Sequence, residues 1–86
     1  MLKYRVMELR EFLRTATKAE RAALAAVCHD SVSYLYQLAG RHRYASALLA
    51  VRIEKETQRL AGGSRGRLRP VPRETLVRYP EIFEDR

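Results

Sequence analysis

Gln37, Ser31 and Ser33 are the side chains in this sequence best suited to reading another molecule. A glutamine amide sets a donor beside an acceptor, which matches N6 and N7 of adenine in the major groove of B-DNA. Gln37 therefore reads either as a base contact or as a solvated polar residue. Ser31 and Ser33 are short hydroxyls suited to a helix N-terminus, where the amides also attract phosphate; they serve equally as plain caps. Val32 between them could meet a thymine methyl. Tyr34 and Tyr36, two residues apart, cannot share one helical face. One packs inward and the other points out, where its hydroxyl reaches a phosphate. Arg41, His42 and Arg43 follow at once, placed to meet a sugar–phosphate backbone or, failing that, solvent.

Other chemistry is missing. Cys28-His29-Asp30 has the residue types of a nucleophilic triad, but neighbours in sequence do not stack on one another, and no oxyanion-hole pattern accompanies them. Cys28 reads as a small buried hydrophobe. One cysteine and two distant histidines do not make a zinc site. The glycines near residue 62 lack the lysine and spacing of a phosphate loop. The sequence reads as non-enzymatic, with no cofactor and no metal.

Short helices must position these residues. Val6, Leu9 and Leu13 recur at helical spacing, with Phe12 beside them, predicting a first helix over residues 6–14. Thr17-Lys18-Ala19-Glu20 forms a capping box for a second, alanine-rich helix reaching Cys28. Asp30 or Ser31 caps a third, with Val32, Leu35 and Leu38 inward. Gly40 ends it where a left-handed residue is wanted. Ser46 caps a fourth helix carrying Leu49, Ile53 and Leu60 inward. Gly62-Gly63-Ser64-Arg65-Gly66 reads as a break, so residues 61–71 are expected to be a flexible basic linker. A short last helix starts near Pro72 and stops at Tyr79, before Pro80. Glu81-Ile82-Phe83 then returns apolar side chains to the core. Residues 1–60 form the expected helical domain, and residues 72–86 a short helix and tail that either pack on it or join two copies.

Composition narrows the partner. The chain has 86 residues and a net charge of +7, with 14 of its 17 basic residues being arginine. That length suits one domain with a modest core, and that charge suits an anionic partner such as a phosphate backbone. A membrane surface fits less well, because no segment pairs a lysine-rich face with bulky aromatics. The longest apolar run, residues 22–28, is far too short to cross a bilayer. Met1-Leu2-Lys3-Tyr4-Arg5 is charged too early for a secretory signal. A lone cysteine suits a reducing compartment, so the cytoplasm is expected.

Two short helices joined by a tight turn, the second polar and aromatic on one face, match a helix-turn-helix unit. Leu24-Ala25, then Ser31-Val32-Ser33-Tyr34-Leu35-Tyr36-Gln37-Leu38-Ala39-Gly40, His42-Arg43, Ser46 and Leu49-Ala50-Val51-Arg52-Ile53-Glu54 resemble the Cro-like and YdaS-like family of phage repressors and antitoxins. Tyr79-Pro80-Glu81-Ile82-Phe83 resembles a tail that family tends to carry. The likeness covers residues 9–54 and that tail. It implies an all-α, five-helix lambda-repressor-like fold with a short C-terminal extension, and operator binding as a regulator, often as a homodimer. It also implies that Ser31, Val32, Ser33, Tyr36 and Gln37 occupy reading positions. Thr17 and Lys18, at the head of the preceding helix, complete the expected DNA-contacting set with Tyr34, Arg41, His42 and Arg43. The chain departs from the family pattern at His29, where the turn usually has glycine, and over residues 61–69, which look like an insertion. Histidine is among the few non-glycine residues that enter the left-handed region. An antitoxin or inhibitor gripping a protein partner is the competing expectation, since fold does not fix function. A non-specific packaging protein fits poorly, because it has little need of a polar-aromatic reading helix.

Overall fold

The computed structural model describes residues 6–84. Met1-Leu2-Lys3-Tyr4-Arg5, read above for a signal, and the last two residues of the tail lie outside them. The described residues are helical and contain no strand: α1 (Leu9–Thr15), α2 (Lys18–Val27), α3 (Val32–Ala39) and α4 (Ala47–Gly62), then 3₁₀ turns at Arg73–Thr75 and Pro80–Phe83. No described helix is long and apolar enough to cross a membrane.

Helical spacing puts Leu9, Phe12, Leu13 and Ala16 on one buried face. They meet Leu24 and Ala25 of α2, Leu35 and Leu38 of α3, and Ala50 and Ile53 of α4 in one core. Alanine at two of these contacts lets the helices approach closely. The first helix starts three residues later than its apolar pattern suggests. The Met7 amide donates to the Pro70 carbonyl at 3.1 Å, so the chain enters extended, Met7 turns inward, and Val6 is left 47% exposed. In α4 the inward set is Ala50, Ile53 and Thr57, with Leu49 and Leu60 only half-buried at its rim.

The caps explain the boundaries. Thr17 Oγ1 accepts from the Glu20 amide at 3.1 Å while Glu20 Oε1 accepts from the Thr17 amide at 2.8 Å, closing the expected capping box. Ser46 Oγ accepts from the Leu49 amide at 3.2 Å. At the end of α2, the Asp30 amide donates to the Ala25 carbonyl and the His29 amide to that of Ala26. This is a Schellman closure with His29 left-handed at φ 54°. The end of α3 repeats it: the His42 amide donates to the Gln37 carbonyl and the Arg41 amide to that of Leu38. Here the left-handed residue is Arg41, at φ 61°, and not Gly40, whose φ is −85°. Gly40 serves close approach instead: a Cβ there would stand 2.9 Å from His42 Cδ2.

Residues 61–71, expected as a flexible linker, are packed down. The helix α4 extends through Gly62, and Ser64, Leu68 and Val71 are buried. Two buried hydroxyls fasten this connector. Ser64 Oγ accepts from the Leu68 amide at 2.9 Å, and Thr57 Oγ1 accepts from the Val71 amide at 3.0 Å. Arg67 adds a bond to the Thr15 carbonyl and an ion pair with Glu20. Substituting Thr57→Val keeps the shape but strands the Val71 amide. It should destabilise the fold by about 1–3 kcal/mol in urea unfolding; a loss under about 0.5 kcal/mol would show that this amide finds another acceptor.

The last helix expected from Pro72 is only the short turn Arg73–Thr75, with Pro72 at its N-cap. Leu76 and Val77 are nevertheless buried against the same core, and the Ala45 amide donates to the Leu76 carbonyl at 2.9 Å. Arg73 pairs with Glu54 of α4 and lies 5.5 Å from the Phe83 ring, which docks Phe83 on the core. Leu68, Val71, Leu76 and Val77, the apolar side chains surplus to a four-helix core, therefore cover this chain's own helices and are not available to a second copy. Tyr79 and Ile82 remain exposed.

Arg67 and then the Thr17 amide hold the Glu20 carboxyl at about 2, against an ordinary 4.5. A depressed carboxyl contributes stability above its unfolded pKa and loses it as pH falls through the folded value. Acid unfolding between pH 4.5 and about 2 should therefore be shallower in Glu20→Gln than in the parent chain. Identical pH profiles would show that the pair contributes nothing.

Candidate nucleic-acid interface

The two Schellman closures set α3 against α2 and fold the basic loop back from its end. Ser33, Tyr36 and Gln37 share one face by i, i+3, i+4 spacing, opposite Leu35 and Leu38, which are buried. Tyr36 is 50% exposed at the centre of that face, Ser33 is exposed and Gln37 is half-buried beside them. Gly40 lies on the same side, and the His42 ring rests against it.

The tyrosines divide as their spacing requires. Tyr34 packs against the core, and burial pushes its hydroxyl pKa up. The Arg43 guanidinium lies 6.0 Å from its ring. Tyr34 thus carries an arginine and presents little surface of its own.

Ser31 is committed to capping: its hydroxyl accepts from the Tyr34 amide at 3.2 Å, and its own amide donates to Asp30 Oδ1 at 2.7 Å. Val32 is half-buried and packed on the core, at the edge of the exposed face. Thr17 and Lys18 are exposed at the head of α2, with the Thr17 hydroxyl occupied by its cap. Among the described residues no hydrogen bond or ion pair ties them to α3 or the basic loop. The structure places Ser33, Tyr36 and Gln37 on one exposed face of α3 with His42 against its end, and Arg41 and Arg43 in the exposed loop that follows, while Ser31 caps the helix and Val32 and Tyr34 pack on the core.

No acid occurs between Ser31 and Ile53, but two stand at the edges of this surface. Asp30 sits at the head of α3, and Glu8, the residue before α1, reaches Arg41 at 3.5 Å. Both partners of that pair are exposed, which makes it weak. Glu8 was invisible to sequence reading, because it lies 33 residues from Arg41 and only the packing of α1 on α3 joins them. The turns before and after α3 hold non-glycine residues at positive φ, His29 and Arg41, and Arg65 in the connector is a third, each costing about 1–2 kcal/mol relative to glycine.

The Cys28 thiol is pushed up to about 11, first by burial and then by the Asp30 carboxylate, so it stays protonated at neutral pH. Arg52 pulls the other way without overcoming this. Among the described residues, no group of three histidine, cysteine or acidic side chains is placed to hold a metal ion. No protein-family model, curated protein or solved structure matches the chain.

Proposed function

We propose that this chain is a sequence-specific DNA-binding transcriptional regulator of Cro-like type, built on a five-helix lambda-repressor-like plan in which the Arg73–Thr75 turn stands in for the fifth helix. The supporting observation is the face of α3. Ser33, Tyr36 and Gln37 project away from Leu35 and Leu38, with Arg41, His42 and Arg43 at one end and no acid in the segment. The major groove admits one α-helix, and a helix entering it needs short polar and amide side chains toward base edges and cations toward the flanking phosphates. Gln37 contacts adenine, Tyr36 and Ser33 lie along the groove floor, and Arg41 and Arg43 hold the backbone. The reading is that of a cytoplasmic repressor binding as a pair on DNA.

Selection of bound duplexes from a random-sequence pool tests this. A shared motif with an adenine under Gln37 is expected. A pool that stays random after repeated rounds would contradict it.

The acids at the rim favour one alternative, an antitoxin or inhibitor that docks a protein on the same face. Glu8 crosses to Arg41 and Asp30 caps the head of α3, giving the surface mixed charge at its edges. Such a partner would itself be acidic, and the chain would retain it while retaining no duplex.

A further inference from the structure

Six arginines of the described residues meet a carboxylate or an aromatic ring, and Arg73 meets both. Arg59, Arg67 and Arg73 each meet a carboxylate, and Arg41 reaches Glu8 more loosely. Arg43 and Arg78 take part in none of these four ion pairs. Each lies instead over a tyrosine ring, Arg43 above Tyr34 at 6.0 Å and Arg78 above Tyr44 at 4.9 Å. A carboxylate neutralises a guanidinium and satisfies its N–H groups. An aromatic face steadies the guanidinium plane, leaving the charge and the N–H edges available.

The two stacked arginines are neighbours in the fold. Tyr44 follows Arg43 directly, and the bond from the Ala45 amide to the Leu76 carbonyl brings the chain at Leu76 to the end of the basic loop. Arg78, over Tyr44, thus lies at the end of the basic loop, although it comes from a part of the chain some 35 residues away.

From this arrangement we infer that Arg78, held on Tyr44, takes a backbone phosphate of duplex DNA flanking the stretch under α3, making the tail a DNA-contacting wing. The inference rests on the DNA-binding reading above. A planar guanidinium presents paired N–H donors to phosphate oxygens. A second copy of the chain is the poorer occupant, because it would bring a second Arg41–Arg43–Arg78 surface of like charge against the first.

The test uses the full chain and a random-sequence duplex of about 30 base pairs, with binding followed by anisotropy across a salt series. Each lost phosphate contact lowers the log–log salt slope by about 0.9. Arg78→Gln should lower the slope by about that amount per copy bound and weaken binding roughly 5- to 10-fold near 0.1 M salt. Arg78 is exposed, so this change leaves folding intact, which a matching melting curve verifies. An unchanged slope for Arg78→Gln, with a reduced one for Arg43→Gln, overturns the wing and leaves the DNA-binding reading standing. A parent chain that binds the duplex with no salt dependence overturns both. If Arg78→Gln instead converts a sedimenting dimer to monomer with the slope unchanged, the surface belongs to a second copy and the inference fails.

Discussion

Raising salt from about 50 to about 200 mM should weaken binding of this chain to duplex DNA by roughly a thousandfold. The expectation is a count of contacts. Arg41 and Arg43 lie in the basic loop and Arg78 lies over Tyr44, which ends it. Two copies on one site bring about six such cations to phosphates, and releasing the counterions of six phosphates gives a log–log slope near −5. Anisotropy titrations at four or more salt concentrations measure it. A slope near half that value means one copy per site. A slope near zero means that the anionic partner is not a nucleic acid, and the protein-docking alternative takes over.

Cutting the chain after Arg59 should abolish the fold. The removed segment carries Leu68, Val71, Leu76 and Val77, all buried in the common core, along with the Val71 amide bonded to Thr57 and the Arg73 side chain paired with Glu54. Full burial of one such aliphatic side chain contributes about 1.5–3 kcal/mol. Four of them together exceed the roughly 5 kcal/mol available to a small domain. The truncated chain should therefore lose its cooperative thermal transition in circular dichroism and its dispersed amide spectrum. A truncation that melts cooperatively near the parent temperature would show that the tail is only a cover. Point changes should grade the same effect, with Leu68→Ala costing about 2–5 kcal/mol.

The difference between residues 61–71 as read and as folded has a definite cause. Gly62-Gly63-Ser64-Arg65-Gly66 has the composition of a flexible break, and small polar residues give that signal whether or not the turn is packed. What fastens it is the pair of hydroxyls, Ser64 taking the Leu68 amide and Thr57 taking the Val71 amide across 14 residues. Bonds of that range leave no periodic trace in a sequence. The capping box at Thr17 and Glu20, by contrast, is local chemistry and was legible in full. The left-handed turn at His29 was implied only by the family resemblance, and local turn chemistry points to Gly40 for the other left-handed residue where the chain places it at Arg41.

The candidate site was legible to the extent that it is helical. The apolar positions Leu35 and Leu38 fix which side of α3 faces inward, and Ser33, Tyr36 and Gln37 then face outward by geometry. The split between Tyr34 and Tyr36 followed from the same spacing. Contributions joined only by tertiary packing were not legible: Glu8 on Arg41, and Arg78 on Tyr44. The surplus of apolar residues after Leu60 was visible. Whether it covers one chain or joins two depends on where the connector turns, and that is set by Thr57, Ser64 and Arg67.

The central claim is that α3 reads bases while the loop after it holds the backbone, and one paired titration tests it most directly. Gln37→Ala and Arg43→Ala are each titrated on the duplex recovered by selection and on a random duplex of equal length. Loss of Gln37 should cost about 1–3 kcal/mol on the selected duplex and almost nothing on the random one. Loss of Arg43 should weaken both duplexes alike and lower the salt slope by about 0.9 per copy bound. Equal, sequence-independent losses for the two variants would contradict base reading by Gln37 and leave α3 as no more than another charged surface.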